Sequence, residues 1–97
     1  MPSYAVLFNW TDQGIKNFRD SPSRVNAVSE AWSASDVRIT DIRWTIGPYD
    51  LVAFVEAQSD EALTSALLSL GAAGNVRTTT LRAFNQAEFE KVVEQAG

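Results

Sequence analysis

Five side chains, Trp10, Asp12, Tyr49, Asp50 and Arg77, carry most of the chemistry this chain offers. A guanidinium such as Arg77 suits a carboxylate or phosphate. Asp50 or Tyr49 could position or exchange a proton, because a carboxylate becomes a general base when burial raises its pKa. The same residues also read as structure alone. Gly47 permits an unusual φ, Pro48 fixes its own, and Asp50 bonds local amides, as tight turns require. Asp12 or Asp50 paired with Arg77 would then hold a loop to a strand, with Thr11 serving as a helix N-cap.

Other chemistries are closed. The 97 residues include no cysteine and no histidine, so disulfides, thiolate nucleophiles, imidazole bases and Cys/His zinc sites are excluded. A haem or mononuclear metal site would need unusual ligands, and no carboxylate cluster suggests Mg²⁺ or Ca²⁺; no cofactor and no metal are expected. Twelve acids against eight bases give a net charge of −4, which argues against a nucleic-acid partner, whose phosphates need a concentrated basic surface. No apolar run approaches the ~20 residues of a membrane helix. The N-terminus shows no basic stretch, apolar core and cleavage site of a leader. A cytoplasmic protein of one domain, residues 1–97, is expected.

The elements that must position these residues follow from periodicity and punctuation. Tyr4–Trp10 is aromatic and β-branched, a buried strand. Thr11 opens a short helical turn with Ile15 and Phe18. Ser21 as cap and Pro22 at the first position open a longer helix with an apolar stripe of Val25, Val28 and Trp32. Residues 37–46 form a second strand, whose strict alternation sets Ile42, Trp44 and Ile46 with Arg38 and Thr40, and Asp41, Arg43 and Thr45 with Val37 and Ile39. Leu51–Ala57 is a nearly continuous apolar strand. Ser59-Asp60 caps a helix striped by Leu63, Ala66, Leu67 and Leu70, which Gly71 and Gly74 end. Val76–Phe84 is the last strand. Asn85 and Glu88 have capping-box spacing for a final helix that buries Phe89, Val92 and Val93.

The order βαββαβ plus a C-terminal helix predicts an α+β, ferredoxin-like sandwich. Its four-stranded antiparallel sheet places the first and third strands centrally, with the fourth beside the first and the second beside the third. Both faces of the central strands are apolar, Tyr4, Val6, Phe8 and Trp10 opposing Ala5 and Leu7, and Val52 and Phe54 opposing Leu51, Ala53 and Val55. Two helices cover one face. An uncovered apolar face of this size is an interface, so the sheet is expected to pack against a second copy as a dimeric α/β barrel, a homodimer or higher homo-oligomer.

Three stretches together, WTDQG at 10–14, GPYDLVAFVEA at 47–57 and GNVRTTTLRAF at 74–84, resemble the GYD domain family, named for its glycine-x-tyrosine-aspartate turn. The resemblance runs nearly end to end. Trp10, Thr11, Gly14, Gly47, Tyr49, Asp50, Gly74, Arg77 and Thr78 occupy the family's characteristic positions. It implies a dimeric ferredoxin-like fold of the α/β-barrel type and brings no catalytic role with it.

Topology brings the three motifs to one end of the sheet, where Asp12 and Asp50 can approach Arg77 beside Tyr49 and Trp10. The expected site is a pocket at the barrel mouth, floored by Trp10, Phe54 and Trp44. The leading function is a small homo-oligomeric binding or regulatory module holding a modest anionic or aromatic small molecule. The alternative is a cofactor-independent enzyme of isomerase, lyase or oxygenase type using Asp50 or Tyr49, an argument by fold analogy. RNA binding is rejected: the topology matches that of RNA-recognition modules, but Asp50, Leu51 and Val52 stand where those carry a base, a glycine and an aromatic ring.

Overall fold

The computed structural model describes residues 1–97. Strand β1 (Ser3–Trp10) leads into a short helix α1 (Asp12–Lys16), a 3-10 turn (Phe18–Asp20) and helix α2 (Ser21–Ser33). Strands β2 (Val37–Trp44) and β3 (Leu51–Ala57) form a hairpin across the Gly-Pro turn. Helix α3 (Asp60–Ala72), strand β4 (Val76–Ala83) and helix α4 (Gln86–Ala96) complete the chain. The sheet order is β2-β3-β1-β4 with antiparallel neighbours throughout, the ferredoxin-like arrangement expected. No helix is long and apolar enough to cross a membrane.

The helix starts are chemically explicit. Thr11 Oγ1 accepts the Gly14 amide at 3.1 Å, and Ser59 Oγ accepts that of Ala62 at 3.1 Å. Asn85 and Glu88 exchange two bonds of 2.8 Å, a complete capping box. Ser21 departs from expectation. It is the first residue of α2 rather than its cap; Asp20 holds the cap position without a side-chain bond. Ser21 is instead buried, and its Oγ accepts the indole N–H of Trp44 at 3.0 Å.

One face of the sheet is sealed. Val6, Ala53, Val55 and Ala57 have no solvent exposure, and Tyr4, Phe8 and Leu51 are nearly as deep. The stripe on α3 (Leu63, Ala66, Leu67, Leu70) and that on α2 (Val25, Val28, Trp32) pack on this face. Strand β2 contributes more to it than strict alternation predicts. A bulge between Ile39 and Asp41 shifts the register by one residue, so Val37 and Ile39 before it and Ile42 and Trp44 after it pair with inward residues of β3. Arg38, Asp41 and Arg43 point to the opposite face. Strict alternation sets Ile42 and Trp44 with Arg38; the extra residue, Thr40, reverses that.

That opposite face carries Ala5, Leu7, Val52, Phe54 and Leu81 without a covering element, and Phe54 is 49% exposed. Helix α4 is equally bare: it has no buried residue, and Phe89, Val92 and Val93, expected in the core, are exposed. The stripe is present but stays exposed, with the Phe89 ring 6.5 Å from that of Phe84. The radius of gyration, 14.5 Å, accordingly exceeds the value of about 12.5 Å for a compact chain of this length.

Candidate functional site

The three motifs do meet, and they meet largely through the backbone. The Thr11 amide donates to the Asn75 carbonyl at 3.1 Å, and the Thr11 hydroxyl donates to the Gly74 carbonyl at 2.5 Å. Gln13 Nε2 bonds the Ala73 carbonyl (3.2 Å) and Asn75 Oδ1 (3.0 Å). The approach is so close that a Cβ on Gly14 would collide with the Asn75 carbonyl, while Gly74 turns the chain with a φ of +87°. The hairpin joins from the other side. Asp50 Oδ2 accepts the Trp10 amide at 2.8 Å, and the Asp50 amide donates to the Phe8 carbonyl at 2.8 Å. The carboxylate thus takes the backbone donor at the point where β1 runs past the end of β3.

Each of the five singled-out residues has a definite place. Trp10 ends β1 on the covered face, opposite Val76. Asp12 is exposed in the first turn of α1, and no side-chain hydrogen bond or ion pair engages it. Tyr49 is half-buried in the hairpin, where its carbonyl accepts the Thr45 hydroxyl at 2.6 Å. Asp50 is half-buried against Trp10. Arg77 stands opposite Asn9 on the edge strand and reaches toward Gly71 of α3. Both ion pairs of the chain lie on β2 and β3, Arg38–Glu56 at 2.7 Å and Arg43–Asp41 at 3.5 Å. Neither Asp12 nor Asp50 is paired with Arg77. Trp10 and Asp50 are brought into direct contact; Arg77 is carried away around the sheet edge.

The expected pocket floor also divides. Trp10 and Trp44 belong to the covered face, whereas Phe54 pairs with Ala5 and points to the open one. A cavity does lie beside the motifs, but on the helix side. It is a cleft of about 200 Å³ between α2 and the sheet, partly open to solvent. Trp10, Phe8, Trp32, Ile42 and Leu51 supply much of its apolar wall, with Val25 and Val28 above. Its polar groups are Ser21, Arg24 and Asn75, and no acidic residue lines it. All three motifs therefore build the cavity wall, through Trp10, through Leu51 and through Asn75-Val76. The sequence reading missed Ser21, Arg24 and Asn75. Arg24 was traceable: it stands four residues before Val28 and eight before Trp32, on the apolar stripe of its own helix.

Away from this end, burial and the hydrogen bond donated to Asp60 push the Tyr4 phenol up to about 12. This ties the start of β1 to the first turn of α3, and it serves the fold.

The structure is a four-stranded ferredoxin-like sheet with helices on one face and no covering element on the other. The chain belongs to the GYD domain family, whose model matches residues 4–93. It is 34% identical over 90 residues to a Thermus thermophilus protein named glutamine synthetase and cystathionine beta-lyase binding protein, covering 92% of this chain and 95% of that one. A crystal structure from the same organism is similar at 30% identity and a TM-score of 0.54, over 88% of this chain and 95% of the other. A feast or famine regulatory protein of M. tuberculosis, solved with L-methionine, shares the fold at 22% identity and a TM-score of 0.67. The match takes in 89% of this chain but only 52% of that longer one.

Proposed function

We propose that this chain is a homo-oligomeric binding module that acts by associating with metabolic enzymes, without turnover of its own. One observation carries the reading: the molecule leaves two large apolar surfaces bare, the outer sheet face around Phe54 and Leu81 and the stripe of α4 at Phe89, Val92 and Val93. They cannot satisfy each other within one chain, because α4 leads away from the sheet. A second copy related by a twofold axis satisfies both at once, each copy's sheet and helix meeting the other's. The relative named for binding glutamine synthetase and cystathionine beta-lyase, 34% identical over nearly the whole chain, supports protein partners of the same kind. At the rim, Asp12 and Tyr49 keep side-chain polar groups free for such a partner beside Trp10 and Asp50. Arg77 offers its guanidinium to a partner or a small anion from the sheet edge near Gly71. The enzyme alternative has no comparable support: the bond that Asp50 Oδ2 accepts from the Trp10 amide ties the hairpin to β1, a structural role.

The test is a titration of purified glutamine synthetase and cystathionine beta-lyase, from the organism that encodes this chain, against the immobilised protein. Saturable binding of at least one enzyme is expected, weakened in Arg77→Ala at unchanged fold. If neither enzyme binds at micromolar concentration, the partner assignment is wrong.

A further inference from the structure

We infer that the cavity between α2 and the sheet is a binding site for a small aromatic monocarboxylate, with its ring among Trp10, Trp32 and Val28 and its carboxylate on Arg24.

Protein cores fill their volume to crystal-like density, with few voids larger than a water molecule. Beside that packed core, an apolar cleft of about 200 Å³, partly open to solvent, lies between α2 and the sheet. The architecture explains why it stays open. Helix α2 is held at both ends: Ser21 at its start bonds the Trp44 indole, and Trp32 near its finish is buried in the core. Between these two anchors Val25 and Val28 pack on the core and form one wall of the cleft. An apolar cavity of roughly 150 Å³ is already large enough to hold benzene.

The lining also states the ligand's charge. Arg24 is half-buried and the one charged group on the wall. It has no carboxylate partner in the chain; Nη1 donates to the Asn17 carbonyl at 3.2 Å, which leaves its other N–H groups unengaged. A cation at the edge of an apolar cavity that no acidic residue lines selects an anion attached to an apolar body. The Asn75 amide and Ser21 hydroxyl add neutral polar contacts. The site lies on the covered face, so its occupation and the proposed assembly through the bare face are read by separate measurements.

Phenylacetate is the probe, with benzyl alcohol as its neutral counterpart. The three indole N–H resonances, from Trp10, Trp32 and Trp44, report the site by NMR. Phenylacetate is expected to shift those of Trp10 and Trp32 saturably and to give intermolecular contacts to the Val28 and Ile42 methyls. Benzyl alcohol should bind about tenfold more weakly, the worth of one charge-assisted bond. Arg24→Gln should bring phenylacetate down to the benzyl alcohol level while leaving benzyl alcohol unchanged. Val28→Phe, which fills the cavity, should abolish both. Absence of saturable shifts in the wild-type protein at about 10 mM phenylacetate, contacts confined to the Phe54 face, or equal affinity for both compounds would overturn the assignment. The wild-type contacts decide the matter even where the filled variant fails to fold.

Discussion

Val55 and Phe54 are neighbours on β3, yet one has no exposure and the other keeps 49% of its surface in solvent. The period of a strand makes that split compulsory: successive residues face opposite sides, and α2 and α3 lie on only one of them. Both sides are nonetheless built from apolar residues. On the covered side the central-strand residues Val6, Phe8, Leu51, Ala53 and Val55 are at most 5% exposed inside one chain, so their contribution to stability belongs to the monomer. On the bare side, Leu7, Val52, Phe54 and Leu81 contribute fully only when something else covers them, and their worth then depends on concentration.

Substitutions on the two faces should therefore differ in kind. Leu63→Ala, beneath the covered face and 2% exposed, is expected to cost about 2–5 kcal/mol by chemical denaturation, by the same amount at every protein concentration. A cost that shrank on dilution would mean the core is not independent of assembly. At the boundary between the faces, Asp50→Ala should cost about 1–3 kcal/mol, because the Trp10 amide loses a charged acceptor. Asp50→Asn keeps an oxygen there and should recover most of that; equal losses in the two variants would show that the charge itself matters elsewhere.

A pH scan separates the faces further. The Tyr4 phenol has its pKa raised from 10.0 to about 12 in the folded chain, so folding favours its protonated form. That stabilisation is complete below pH 10 and lost as pH rises toward 12. The wild-type protein should lose stability across that window, and Tyr4→Phe should lose less. On the bare face, Arg38→Ala removes an exposed ion pair with Glu56 and should change monomer stability by less than about 1 kcal/mol. A larger effect would mean that the pair is buried by a partner.

Much of this was legible in the residues. Cap chemistry at Thr11, Ser59 and Asn85, the stripe on α3 and the run of strands were enough to set the sheet order, because few topologies accommodate βαββαβ. The bulge at Thr40 was not legible, since a threonine in a strand carries no mark of an extra residue, and missing it inverted the outer half of β2. The stripe of α4 was legible, but its expected burial did not follow, because Phe89, Val92 and Val93 are exposed in the single chain. The meeting of the motifs followed from topology. The ion pair to Arg77 did not, because an edge-strand side chain can turn around the sheet rim toward α3. The cavity depends on how α2 lies against the sheet, where Ser21 bonds Trp44 and Trp32 is buried, contacts made across separate elements.

The central claim is that the bare face is covered by another copy, and light scattering coupled to size exclusion tests it most directly. At micromolar concentration the protein should have twice the mass of its 10.6 kDa chain, or a higher multiple. Phe54→Asp should reduce that to a single chain with native circular dichroism. A wild-type protein with the mass of one chain across the micromolar range would contradict the account.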